Sequence, residues 1–292
     1  MEDYPRTIME FEQRFASEEA CRAYLVQLRW PEGIRCPRCR EEKTWSMSRG
    51  LYLCAGCRFQ IHILAGTIFQ DTKKPLRLWF RALWYVTNQK NGVSALGLQR
   101  ALGLGSYRTA WKWLHRLRSA MVRPGRDRLS GTVEVDETYV GGEKPGKRGR
   151  GATGKTLVVV ATEVKDHFMG RIRLRSVPDA SAESLEEAVE GAVEPGSMVR
   201  TDGWRGYGQL KKIGYRHKIV REGSDVGGNL LPKVNRVVAL LKRWLLGAHQ
   251  GAVQPPYLDY YLDEFTFRFN RRTCRWRGKL FYRLMQQAVA ES

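Results

Sequence analysis

Four cysteines fall in two pairs, Cys36-Pro37-Arg38-Cys39 and Cys54-Ala55-Gly56-Cys57, with fourteen residues between them. A Cys-x-x-Cys turn presents two thiolates to one cation, and two such turns complete the tetrahedral shell of a structural Zn2+. A redox-active reading would need a strand–helix–strand setting, which the flanking residues do not offer. Trp45 to Leu53 reads as one strand between the pairs and Arg58 to Ile63 as a second, the outline of a zinc ribbon. The four sulfurs already fill the shell, so His62 is expected on the exposed face of its strand. Cys21 and Cys274 have no close partner in sequence and read as plain buried thiols.

Two aspartates offer a different chemistry. Val133-Glu134-Val135-Asp136-Glu137-Thr138-Tyr139-Val140-Gly141-Gly142 alternates apolar and polar residues into a Gly-Gly pair, the pattern of a strand and its turn. An acidic side chain in mid-strand is costly unless something binds it. Met198 to Trp204 reads as a second short strand that delivers Asp202 at its end. The chain carries 50 Lys and Arg against 30 Asp and Glu, a net charge of +20. In such a protein two strand-borne aspartates form an acidic island suited to a divalent cation held against a polyanion. Glu134 and Glu137 flank Asp136, are expected to point away from its side of the strand, and are read as structural.

The charge excess favours a polyanionic partner, nucleic acid or an anionic membrane. No apolar run approaches the roughly 20 residues that span a bilayer. Met1 to Pro5 show no signal-peptide pattern. The expectation is therefore a cytoplasmic, nucleoid-associated protein with a nucleic-acid partner and no membrane partner.

The elements that must carry these residues follow in order. Ser17 caps a helix that Pro31 and Gly33 stop. Pro75 opens a second helical stretch, Val93 to Leu102 a third, and Ser106 caps a basic helix. Helix, short Gly-containing turn and basic helix make the helix-turn-helix pattern, with Arg108, Lys112 and Arg116 on the candidate DNA-reading helix. Tyr107 to Arg126 holds six basic residues and no acidic one. Beyond the first acidic strand lies a basic glycine-rich loop with Lys147, Arg148 and Arg150, suited to a phosphate backbone. Gly149 to Thr156 matches a P-loop formally, but a strand follows where a P-loop opens a helix, so the match is read as accidental. The remaining pattern of strands, helix, strand, short helix and strand predicts a mixed sheet with flanking helices. Long helices follow at about 231–246 and 257–272. A basic tail from Arg268 to Arg283, seven cations without an acid, closes the chain.

Asp136 on a first strand and Asp202 after a later one suggest the ribonuclease-H-like fold. With the ribbon, the helix-turn-helix, Val133 to Gly142, Thr201 to Tyr207 and Leu240 to Gly247, nearly the whole chain resembles prokaryotic insertion-sequence transposases with an N-terminal zinc ribbon and a DDE-type catalytic domain. The expected organisation is a helix and zinc ribbon over 1–70, a helix-turn-helix region over 71–128, and an RNase-H-like α/β catalytic domain over 129–292. In that family the third metal ligand is Glu or a substitute such as Asn, followed seven residues later by Lys or Arg. Asn235 and Lys242 fit, sharing a helix face. Glu264, with Arg271 seven residues on, is the alternative third ligand, and its setting also suits a Glu264–Arg268 pair on the helix surface.

The resemblance implies an enzyme that binds terminal inverted repeats, cleaves transposon ends and joins the 3′-hydroxyls to target DNA. It implies a two-metal Mg2+ (or Mn2+) site of Asp136, Asp202 and Asn235, a phosphate contact from Lys242, and structural Zn2+ on Cys36, Cys39, Cys54 and Cys57. Its partners would be double-stranded DNA, both ends and target, and further copies of the chain in a homodimer or larger synaptic complex. The alternatives are a catalytically inactive DNA-binding regulator, that is a domesticated transposase, and another RNase-H-like metal nuclease.

Overall fold

The structure, a computed structural model, describes residues 2–123, 125–141, 155–166, 168–221, 230–249 and 253–290. The chain divides into two compact units, one of residues 1–123 with 274–292 and one of 124–273.

In the first unit, α1 (Ile8–Arg14) and α2 (Glu18–Arg29) begin where Thr7 and Ser17 side chains accept hydrogen bonds from Glu10 and Ala20 N–H. A three-stranded antiparallel sheet follows, ordered β1 (Thr44–Ser46), β2 (Leu51–Cys54), β3 (Gln60–His62). The single strand expected over 45–53 is instead a hairpin, with Trp45 opposite Leu53. A 3-10 turn at Ser48–Gly50 reverses the chain, with Gly50 at φ 77°. Folding back lets the two halves satisfy each other's backbone groups. Next come α3 (Leu76–Asn88), α4 (Ala95–Leu102) and α5 (Tyr107–Ser119). Gly103, left-handed at φ 62°, ends α4, and the Ser106 hydroxyl accepts from Arg108 N–H to start α5. Trp113 of α5 stacks on Trp79 of α3 at 3.7 Å, so this aromatic of the basic helix is core.

The second unit is a five-stranded mixed sheet. Its strands are β4 (Thr132–Val140), β5 (Thr156–Lys165), β6 (Phe168–Val177), β7 (Met198–Thr201) and β8 (Arg216–Ile219). They lie in the order β6-β5-β4-β7-β8. The first three pair antiparallel, whereas β7 and β8 run parallel to β4. Alternation along β4 sends Val133 and Val135 to one face, against Leu185, Val189 and Tyr207. That core lies under α6 (Ala182–Ala192), capped by Ser181. The other face carries the core of Val158, Val160, Val234, Val237, Leu241, Leu262 and Phe265. It lies under α7 (Pro232–His249) and α8 (Leu258–Asn270). α7 packs on β4 and β5, and α8 on β6.

The last helix, α9 (Arg277–Val289), belongs to the first unit. Expected as the end of the catalytic domain and as a basic tail that holds DNA backbone, this segment buries Leu280, Phe281, Leu284, Met285 and Ala288. The physical reason is an apolar stripe at helical spacing, which the surrounding cations masked. Phe281 packs edge-on to Phe11 at 5.5 Å and Trp84 at 5.8 Å. A Cβ at Gly278 would lie 1.6 Å from the Pro5 carbonyl oxygen, so only glycine permits this approach. Two of the tail's cations, Lys279 and Arg283, pair with Glu2.

Candidate functional site

The ribbon cysteines converge. One sulfur from each of Cys36, Cys39, Cys54 and Cys57 lies within 4.8 Å of every other, with Cys36–Cys57 at 3.6 Å and Cys39–Cys54 at 3.4 Å. Those spacings are far beyond a disulfide bond of about 2.05 Å and suit four sulfurs around one tetrahedral cation. The two turns match: Arg40 and Arg58, directly after each pair, are left-handed at φ 66° and 60°. Their N–H groups donate to the Cys36 and Cys54 carbonyls at 2.9 and 3.2 Å. Burial works against the Cys36 thiolate, but N–H groups of Cys39 and Arg38 and the neighbouring thiols bring its pKa down to about 7. The Glu41 N–H favours a Cys39 thiolate, yet Cys57 and Cys54 outweigh it and push that thiol up to about 12. Four thiolates at this spacing repel one another until a cation neutralises them. His62 accepts from Leu64 N–H through Nδ1 and is half-buried, outside the sulfur cluster. Cys21 is buried, with its thiol pushed up to about 12 by burial and Glu18. Cys274, expected to be buried, is half-exposed because its turn precedes α9, and its thiol faces the Trp276 carbonyl.

Asp136 lies on β4, and Asp202 directly follows the last residue of β7, the parallel neighbour of β4. Glu134 of β4 pairs with Arg200 of β7. The pairing ends there, two residues before Asp136 on one strand and Asp202 beyond the other. Asp136 is half-buried and accepts from the Glu137 N–H at 2.8 Å. Asp202 is exposed and accepts from the Trp204 N–H at 2.9 Å. Gly203 makes that turn possible, at φ 88° and with Ile219 Cγ2 only 2.6 Å from where a Cβ would be. Both carboxylates also act on Tyr207. Burial, then Glu137, then Asp136 and Asp202 raise its phenol well above 10.

Glu134 departs from expectation. Residues 134 and 136 are two apart on a strand and so share a side. Glu134 is 2% exposed, and its Oε2 accepts from Lys233 and Val234 N–H at 2.7 and 2.9 Å. The first turn of α7 is thereby fixed to β4 two residues from Asp136, and Asn235 follows Val234 directly. Asn235 and Lys242 are both exposed on α7. Glu264 is placed differently. It is 1% exposed on α8, whose helix packs on β6, two strands from β4. Its Oε1 accepts from Arg268 Nε and Nη2 at 2.9 and 2.7 Å. The expected surface pair is therefore an interior one, because α8 is covered on nearly every side. Arg271, seven residues on, lies over the Phe267 ring at 4.1 Å.

Arg108, Lys112 and Arg116 are exposed at four-residue spacing along one face of α5. Arg116 is already engaged, donating to the Ile68 and Gln70 carbonyls at 3.4 and 3.3 Å. Lys147, Arg148 and Arg150 lie outside the described residues. An open cleft of about 690 Å3 in the second unit is lined by Lys165, Arg171, Lys233, Arg236 and Arg272, with no acidic residue among the described residues of its lining. Lys233 and Arg236 stand on either side of Asn235 in sequence, and the five cations come from four separate stretches. No local sequence signal joins them beyond the total charge.

Among the described residues, no helix is long and apolar enough to cross a membrane. The family model of the ISXO2-like transposase domain matches residues 128–270, and that of the transposase zinc-ribbon domain matches residues 16–60. The chain is 27% identical over 285 residues to a Halobacterium salinarum protein named as an uncharacterized protein in the transposable element ISH50. That similarity covers 91% of this chain and 94% of the other. Mixed sheet, flanking helices, converged cysteines and both domain matches agree: the chain belongs to the insertion-sequence transposases that join a zinc ribbon to an ISXO2-like DDE domain of RNase-H-like fold.

Proposed function

We propose that the protein is a catalytically competent DNA transposase, which binds terminal inverted repeats, cleaves transposon ends and joins them to target DNA. The observation that carries this reading is the parallel pairing of β4 with β7, which stops two residues before both Asp136 and Asp202, with the first turn of α7 clamped to β4. Asp136 and Asp202 supply two carboxylates and Asn235 an amide oxygen, hard donors that suit Mg2+ or Mn2+ in a two-metal site. Bound there, the metal supplies activation of the attacking oxygen and stabilisation of the leaving one. In cleavage, water oxygen bonds to phosphorus, the P–O3′ bond breaks, and the 3′ oxygen leaves as a hydroxyl with a proton from the medium. In joining, that hydroxyl attacks a target phosphodiester and releases its proton, and the target's own 3′ oxygen departs as a hydroxyl.

Lys242, two turns beyond Asn235, and the cations of the cleft hold backbone phosphates near the reacting strand. Arg108 and Lys112, with the ribbon, engage the repeats, and Lys147, Arg148 and Arg150 add backbone contacts. Two ends must be joined, so the working form is a dimer or larger synaptic assembly. The test incubates the full chain with a duplex carrying the flanking inverted repeat, a supercoiled target and Mg2+. Both 3′-end cleavage and joined products are expected. Neither product alongside repeat-specific binding points to a DNA-binding regulator, the reading that the neutral Asn235 favours. Cleavage without joining points to a nuclease.

A further inference from the structure

We infer that Glu134 and Glu137, the two carboxylates flanking Asp136, are positioning residues that fasten the other ligand-bearing segments to β4, one on each face of the strand. This rests on the reading of Asp136, Asp202 and Asn235 as metal ligands.

The first tether runs to α7. The residue before that helix is Leu231, which has no side-chain acceptor, and Pro232 opens the first turn. The N–H groups of this first turn, those of Lys233 and Val234 among them, have no partner within the helix itself. Glu134 reaches them from a strand about a hundred residues earlier in the chain, at 2.7 and 2.9 Å. A carboxylate there also faces the positive end of the helix dipole. The residue after the second N–H is Asn235.

The second tether runs to the segment after β7. Asp202 is followed by a 3-10 turn, Arg205–Tyr207, whose last residue has no exposed surface. The Tyr207 hydroxyl donates to Glu137 Oε2 at 2.9 Å. With its phenol held well above 10 by burial and the Glu137 charge, Tyr207 remains a donor at neutral pH. Residue 137 points to the opposite face from 134 and 136, into the core shared by Tyr207, Leu185 and Val135.

Each tether ends close to a candidate ligand, one residue from Asn235 and five from Asp202. Carboxylates that served packing alone would have no reason to end there on both faces. Hydrogen bonds that orient a ligand directly cost about 10- to 100-fold in metal affinity when removed, and tethers one step further out are expected at the lower end of that range.

The experiment is a Mn2+ titration of the full chain without DNA, followed by the resonance signal of free Mn2+, with thermal midpoints measured in parallel. Glu134→Gln, Glu137→Gln and Tyr207→Phe are each expected to weaken Mn2+ binding about 10-fold or more while the protein stays folded. Glu137→Gln and Tyr207→Phe together should cost little more than either alone, because they remove one bond. Val237→Ala and Val189→Ala, in the same two cores, should lower the midpoint but leave Mn2+ affinity as it was. Asp136→Asn should abolish the site. If the wild-type chain has no Mn2+ site that Asp136→Asn removes, the metal reading itself is wrong. If that site exists and Glu134→Gln and Tyr207→Phe bind Mn2+ as the wild type does, the tethers are overturned. Equal weakening by the two valine variants overturns them as well, because the effect is then only destabilisation. Should Glu134→Gln not fold, Glu134→Asp, which keeps the charge one methylene short, is judged by the same criterion.

Discussion

Asp136 and Glu264 are both acids inside one unit, but their surroundings assign them different work. Asp136 is half-buried, and its carboxylate accepts a hydrogen bond from the Glu137 backbone N–H. Asparagine in its place can still accept that bond, so the fold survives and the charge does not. Asp136→Asn and Asp202→Asn should each reduce end cleavage by more than about 100-fold, beyond the cost of a lost supporting bond. End binding by gel shift should stay within about twofold, since other residues carry it. Glu264 faces Arg268 at 2.7 Å, the two side chains 1% and 10% exposed. Breaking a buried pair strands the remaining charge and costs about 3–5 kcal/mol. Glu264→Gln should therefore lower the thermal midpoint by several degrees, and Glu264→Leu with Arg268→Met should recover most of it. A Glu264→Gln protein with unchanged midpoint and no cleavage, while Asn235→Ala still cuts, would move the third-ligand role to Glu264. The cysteine cluster and the strands that carry Asp136 and lead into Asp202 were legible because type and spacing are local signals. The roles of Glu134, Glu137 and Tyr207 were not, because a bond between residues 134 and 233, or 137 and 207, leaves no mark on either segment alone.

At the scale of elements, α5 shows how a reading from pattern is sharpened by packing. Its basic residues form one list in sequence, but the structure divides them. Arg108 and Lys112 point outward, Arg116 binds two backbone carbonyls, and Arg118 is 2% exposed. Each phosphate contact adds close to 0.9 to the slope of log affinity against log salt. Arg108→Ala with Lys112→Ala should therefore flatten that slope by about two units and weaken repeat binding, with the midpoint nearly unchanged. Arg116→Ala should lower the midpoint and change the slope less. An unaltered slope in the double variant would remove α5 from the interface. Strands β4 to β7, helices α3 to α8 and the caps at Ser17 and Ser106 follow periodicity and capping chemistry that the chain states openly. α9 was hidden because its charges drew attention from the stripe of Leu280, Phe281, Leu284 and Ala288. The β1–β2 hairpin was hidden because a 3-10 turn at Gly50 interrupts an otherwise strand-like run.

At the scale of the whole molecule, the ends of the chain share one unit, and this makes truncation informative. The ribbon is locally stabilised: the core around Cys36, Cys54 and Ile61 is small, and zinc supplies what apolar area does not. One zinc per chain is expected by metal analysis, and Cys36→Ser should lose it and disorder β1 to β3 while Mn2+ binding in the second unit persists. The helices of the same unit depend instead on α9. Phe11, Phe15, Tyr24, Phe80 and Trp84 all have ring partners that include Phe281, at 5.5 to 6.4 Å. Aromatic truncation in such a core costs about 3–5 kcal/mol at a single position, and removing residues 274–292 takes away Leu280, Leu284 and Met285 as well. That total is comparable to the whole stability of a typical domain. A chain ending at residue 273 should therefore lose amide protection across α2 and α3 in hydrogen exchange, and repeat binding with it, although it keeps every zinc ligand and every α5 cation. Protection in β4 and β5 should remain, because those strands are held within the second unit. Phe281→Ala provides the milder version, with the same elements loosened first. If α3 stays protected in the truncated chain, the C-terminal helix is an accessory of the first unit and not part of its core.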